Sequence, residues 1–189
     1  MRTRLALLAA ALAAFGGSLA SGFHFDDYAI FQGAALQSPL WSLRQTHPLT
    51  YLTFWLNYQV GGENPLGYHA VNLALHLAAV WLLYEALRRL VPPEAAFIAA
   101  AIFAVHPIQA EVVDYIWGRS IVLAAVLCFA SLLEWTRGRL WIAVVWFAAA
   151  LLAKEEVAAF PVALIVGRAM LNEARRLRAG GSQNRLSHK

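Results

Sequence analysis

Two adjacent aspartates, Asp26 and Asp27, follow the first apolar run of this chain in the stretch SGFHFDDYAI. A carboxylate beside a membrane span is costly and marks a functional site by default. Partly desolvated among Phe23, Phe25 and Tyr28, such a carboxylate gains the raised pKa that suits a general base. A helix cap, where aspartate is common, is the plainer alternative. A second stretch, FAVHPIQAEVVDYIWGRS, sets His106, Glu111, Asp114 and Arg119 at spacings compatible with a helix. The planar fork of Arg119 suits a phosphate, and an ion pair with Glu111 or Asp114 would also account for it. A third, LLAKEEVAAFP, places Lys154, Glu155 and Glu156 between two apolar runs with almost no loop. A lipid phosphate or its sugar is one partner for Lys154, and a charged turn that separates two helices is the other reading. In the fourth, GYHAVNLALHLAAV, His69, Asn72 or Leu73, and His76 share one helix face. The two histidines lie about 10.5 Å apart by helix rise, too far to share one metal ion. A transmembrane haem would need a facing histidine, for which only His106 is a candidate. The stripe therefore reads as polar packing between helices and not as a metal or haem site.

The elements that carry these residues follow from composition. The chain is 60% hydrophobic and only 14% charged, against roughly 45–50% and about 25% in soluble domains. An all-α, polytopic transmembrane bundle is the expected fold. A span needs about 20 mainly apolar residues. Six stretches qualify or come close: 4–22, 69–90, 95–110, 119–136, 139–154 and 157–171. The third and fifth are short. Pro92-Pro93-Glu94 separates the second span from the third and starts a helix. Pro161 is placed to kink the sixth. Residues 1–171 thus form a membrane module and 172–189 a basic tail. The first segment also resembles a cleaved signal, with Ser18-Leu19-Ala20 as the cleavage site.

The positive-inside rule orients the spans. With both termini cytoplasmic, only Arg44, Arg119 and Lys154 of the basic residues lie outside. The basic charge is therefore a topology signal, with anionic lipid contact at the tail, and not a mark of nucleic-acid binding. The outer segments 23–68, 106–118 and 154–156 hold seven of the 11 acidic residues, together with His24, His47 and His106. The first outer loop, 23–68, is long and aromatic. Within it PLWSL and PLTYLTFWLNYQV predict short interfacial helices, each opened by proline. Its aromatics suit both an interfacial belt and a lid over an outward-facing cavity. The lone cysteine, Cys128, falls in an apolar run and reads as a packing residue.

FHFDDYAI, HPLTYLTFWLNYQVGGENPLGYHAVNLALHL, AAIFAVHPIQAEVVDYIWGRS and LLAKEEVAAFPVAL follow one another in order. Together they resemble the multi-span glycosyltransferases of the GT-C superfamily, in particular the TMTC-type protein O-mannosyltransferases and their bacterial relatives. The resemblance runs from about residue 5 to residue 170. It implies transfer of a sugar from a polyprenyl-phosphate donor to a protein or glycan acceptor on the outer side of the membrane, the bacterial inner membrane being the expected place. HFDD matches the acidic motif that supplies the catalytic base, so the catalytic residues are Asp26 and Asp27, with Asp26 the base and Asp27 orienting it or the acceptor. Arg119 and Lys154 would hold the lipid phosphate. His106, Glu111, Glu155 and His47 complete the expected binding set, and the resemblance implies no metal or other cofactor, since many such enzymes work without a metal. Such enzymes have more spans, typically nine or more, and usually a soluble C-terminal region, so the chain is expected to be the N-terminal part of one. No repeat of about 34 residues is present in it. A non-catalytic lipid-binding or scaffold module, or a small transporter, is the alternative. A transporter would carry ionisable residues near the middle of the bilayer; here they cluster at the outer edge, and only His76 and Glu85 lie inside the second span, Glu85 near the inner side where Arg88 or Arg89 can pair with it.

Overall fold

The computed structural model describes residues 1–170 and residue 173, and no strand occurs among them. Helix α1 (Arg2–Phe15) runs on through a tighter segment, Gly16–Ala20. Short turns at Phe25–Phe31, Ala34–Leu36 and Pro39–Ser42 lead to α2 (Pro48–Gly61) and α3 (Pro65–Leu90). Helix α4 (Pro93–Val105) ends in a broken stretch made of Pro107–Gln109, Ala110–Val113 and Ile116–Gly118. Helices α5 (Arg119–Thr136) and α6 (Leu140–Ala153) follow. Residues up to Val157 make one compact unit. In the second unit, residues 160–170 form α7. The expected tail, 172–189, lies outside the described residues apart from Glu173.

Local sequence explains the boundaries. Proline opens α2, α3 and α4, where its missing N–H would have had no partner anyway. Asn64 caps α3 by accepting from the Leu66 N–H at 3.1 Å. Arg88 and Arg89 occupy the last turn of α3, the favoured end for cations. Gly138, at φ +79°, makes the tight turn between α5 and α6.

Among the described residues three stretches are long and apolar enough to cross a bilayer: Arg2–Ala20, Pro65–Leu90 and Ile116–Thr136. Pro93–Val105 and Pro107–Val113 make a fourth if the pair, bent by 49°, counts as one span. By length and composition this gives three or four spans where the sequence suggests six. Proline at 107 breaks the third apolar run. Helix α6, at 14 residues, reaches only about 21 Å by helix rise. The outward faces of α4 and α6 still carry Ile98, Ile102, Trp141 and Val145 in exposed positions. A soluble surface rarely tolerates such patches. The chain is an all-helical integral membrane protein.

Its interior uses small residues for close approach. Ala96, Ala100 and Ala104, one per turn of α4, are fully buried against Leu7 and Ala11 of α1 and Val80 and Tyr84 of α3. Phe15 of α1 stands edge-on to His76, with ring centroids 5.2 Å apart. Helix α5 packs on both α3 and α6, and its Ser131 Oγ donates to the Ala143 carbonyl at 2.8 Å.

The polar stripe of α3 closes gaps left by helix breaks. Because the Ile108 N–H turns to His106 Nδ1, the Ala104 carbonyl at the end of α4 loses its helical donor, and His76 Nε2 meets it at 3.1 Å. His69 Nε2 lies 3.2 Å from the Gly22 carbonyl. Buried Glu85 is held by both Arg4 and Arg88, at 2.5 and 2.8 Å. His76 and Glu85, the ionisable groups expected inside the second span, thus have structural partners.

Candidate active site

The segments expected on one side of a membrane do meet at one end of the bundle. Trp117 N–H donates to Asp27 Oδ1 at 2.8 Å, across 90 residues of chain. Thr50 Oγ1 donates to the Ala153 carbonyl at 3.0 Å, joining α2 to the end of α6. His47 Nε2 pairs with Glu155 Oε2 at 2.7 Å. Between these ties lies a cavity of about 220 Å³. Thr46, His47, Thr50, Tyr51 and Phe54 line it on one side. Glu111, Tyr115, Trp117, Gly118, Ser120 and Ile121 line it on the other, and Lys154 closes it. Its volume is below the roughly 300–1,000 Å³ of a drug-sized ligand pocket.

The expected site residues divide into three groups. His47, Glu111 and Lys154 line the cavity. Asp26 and Glu155 stand at its border, each through one neighbour: Tyr115 Oη donates to Asp26 Oδ2 at 3.3 Å, and Glu155 holds His47. Asp27, Arg119 and His106 are engaged elsewhere. Asp27 is fully buried, its Oδ2 accepting from the His24 N–H at 2.9 Å and its Oδ1 from Trp117. It is the cap and brace of the Phe25–Phe31 turn. His106 is exposed and accepts from the Ile108 N–H at 3.2 Å. Phe25, next to Asp26, takes φ +46°, a sterically disfavoured setting for a bulky side chain. Such strain clusters at functional sites.

Arg119, expected at a phosphate or in an ion pair, is held by neutral partners. It is 0% exposed. Nε donates to Asn72 Oδ1 at 2.8 Å and Nη2 to the Tyr68 carbonyl at 2.9 Å. The guanidinium also packs over the Phe54 ring, 4.4 Å from its centroid. Asn72 in turn donates to the Tyr115 carbonyl at 3.2 Å. One buried cation thereby ties α5 to the start of α3 and, through Asn72, to the stretch that carries Tyr115. Gly118 permits this closeness: a Cβ there would lie 2.7 Å from the Glu111 carbonyl oxygen.

Burial pushes the Tyr51 phenol up, and burial together with the Asp26 charge does the same to Tyr115. Both phenols stay protonated at neutral pH and can donate. The Asp114 carboxyl is raised by burial, with His69 opposing. Glu155 is lowered, first by its own backbone N–H and then by His47. Among the described residues no group of three His, Cys, Asp or Glu is placed to hold a metal ion. Tyr115, Tyr51 and Thr50 are cavity residues that the sequence leaves unmarked. Tyr115 lies inside a motif read as one helix, and only the break at 114–116 turns it towards Asp26.

Helical membrane architecture with a polar, charged cavity at one end defines a class. Comparison with known proteins gives the family. Residues 45–181 match the model of the dolichyl-phosphate-mannose-protein mannosyltransferase family, and the chain belongs to it. It is 40% identical over 116 residues to the protein O-mannosyl-transferase Tmtc1 of Drosophila melanogaster, covering 57% of this chain and 14% of that protein. It is 31% identical over 147 residues to mouse TMTC3, covering 67% and 16%. For human TMTC1 the figures are 41% over 98 residues, 51% and 11%. The chain thus spans about a sixth or less of the length of these relatives. No solved structure matches it.

Proposed function

We propose that the cavity is the sugar-transfer site of a membrane glycosyltransferase, of which this chain is the N-terminal part. The donor is a polyprenyl-phosphate sugar, with mannose the sugar to try first because the relatives are named O-mannosyl-transferases. The acceptor is a protein or glycan hydroxyl. The carrying observation is the meeting of Lys154, His47, Glu111 and Tyr115 at one cavity, with Asp26 on its border.

Each end of that cavity has a chemical task. Lys154, with His47 when protonated, opposes the charge that grows on the leaving lipid phosphate. Glu111 and the hydroxyls of Thr46 and Thr50 offer hydrogen bonds to a sugar, and Tyr51 and Trp117 offer ring faces. Asp26 accepts the acceptor proton as the acceptor oxygen bonds the anomeric carbon and the carbon–oxygen bond to phosphate breaks. Asp27 and Arg119 position these groups and do not touch substrate. His106 keeps a capping role at the cavity's approach. The six apolar helices all reside in the bilayer, segment 1–22 is a retained span, both termini face the cytoplasm, and the cavity faces out. The packing of Leu7, Ala11 and Phe15 into the core supports retention of the first segment.

The test is transfer of radiolabelled mannose from dolichyl-phosphate mannose to a serine- and threonine-containing peptide by membranes holding the full chain. Asp26→Asn should abolish transfer and leave membrane insertion intact. Lys154→Ala should lower it by about 100-fold or more, the scale of losing one charge stabiliser. Unchanged transfer in Asp26→Asn would sink the assignment of the base.

A further inference from the structure

Asp26 borders the cavity without lining it, and Tyr115 connects the two: it is one of the lining residues, and its hydroxyl donates to Asp26 Oδ2. We infer that Tyr115 is a further catalytic residue, the proton relay through which Asp26 acts on the acceptor hydroxyl. This rests on the reading of Asp26 as the base.

The chemistry fits a phenol. Tyrosine has one proton to give and lone pairs to accept one. In the relayed step the acceptor O–H gives its proton to Tyr115 Oη while the phenol proton moves to Asp26 Oδ2. The acceptor oxygen bonds the anomeric carbon, and the carbon–oxygen bond to phosphate breaks with its electron pair leaving on the lipid phosphate. Tyr115 is neutral before and after. Asp26 ends protonated and returns that proton to water.

The surroundings hold Tyr115 for this task. Its carbonyl accepts from Asn72, which Arg119 fixes from the other side. Two residues on, the Trp117 N–H is bound by Asp27, the neighbour of Asp26. The same short stretch thus grips both aspartates, one through backbone and one through the phenol. At 3.3 Å the contact to Asp26 is longer than a relaxed O–H···O bond. Catalytic hydrogen bonds are often long without substrate and tighten in the reacting complex.

Four chains separate the outcomes: wild type, Asp26→Asn, Tyr115→Phe and the double variant, each in membranes with dolichyl-phosphate mannose and the acceptor peptide. A relay predicts that Tyr115→Phe lowers kcat by about 100-fold or more, with KM for the donor little changed. The double variant should be no slower than Asp26→Asn alone, because residues that act as one unit are non-additive. Tyr115→Phe keeps the ring, so thermal stability should match wild type. A loss under about tenfold, or multiplied losses in the double variant, overturns the relay and leaves Asp26 as a direct base. Full activity of Asp26→Asn, or no transfer by the complete protein of which this chain is the N-terminal part, overturns the reading of the site on which the relay depends.

Discussion

Asp26 and Asp27 are chemically identical neighbours with opposite fates. Their turn has three residues per turn, so adjacent side chains point about 120° apart. One therefore faces in, where backbone N–H groups of His24 and Trp117 satisfy it, and the other faces out towards Tyr115. Asp114 shows the converse of Asp27. Its Oδ1 is buried without a hydrogen-bond partner, and its carboxyl is raised above 3.8. The native state then binds more protons than the unfolded chain in the window between 3.8 and the raised value. Stability is full below that window and falls as pH rises through it. Asp114→Asn should flatten this decline in a thermal-denaturation series across acidic pH. An unaltered slope in the variant would show that the decline has another source. Glu155 has the opposite sign. Its lowered pKa makes the contact with His47 contribute above the ordinary carboxylate range and fade as pH falls through the lowered value.

At the scale of elements, α3 is the spine. Its buried stripe of His69, Asn72 and His76 meets carbonyls at three separate chain breaks. A broken helix in a membrane must find such partners, since no water is there to supply them. Asn72 has the greatest share because it also holds Arg119, a cation buried among aromatic rings. Asn72→Ala should cost about 2 kcal/mol, the scale of a hydrogen bond to a charged group. It should also loosen Tyr115. The check is denaturation in detergent together with protease sensitivity of the 106–118 stretch; a variant as resistant as wild type would remove Asn72 from the site's support. The histidine stripe was legible from spacing as polar packing. That it answers helix breaks was not, because spacing along one helix says nothing of where its neighbours end.

The whole molecule segregates its charges. Arg4, Glu85 and Arg88 join α1 to α3 at one end, and Glu134 meets Arg137 near the same end. The cavity residues gather at the other. If the positive-inside rule sets the orientation, Gln37→Cys should react with a membrane-impermeant maleimide in intact cells and Gly138→Cys only after lysis. The reverse pattern would place the cavity on the cytoplasmic side. Buried Cys128 should stay silent in both. Sequence alone determined the all-helical membrane class, the family, and the gathering of polar chemistry into three segments, since composition, motif order and hydropathy are properties of the chain itself. It also picked out His47, Glu111 and Lys154, which the fold brings to one cavity. Only tertiary structure decided which aspartate is buried, that Arg119 is buried as a brace between α3 and α5, and that Tyr115 joins Asp26 to the cavity. Those outcomes depend on where helices break and which carbonyls then need donors, and that is set by contacts between residues dozens of positions apart.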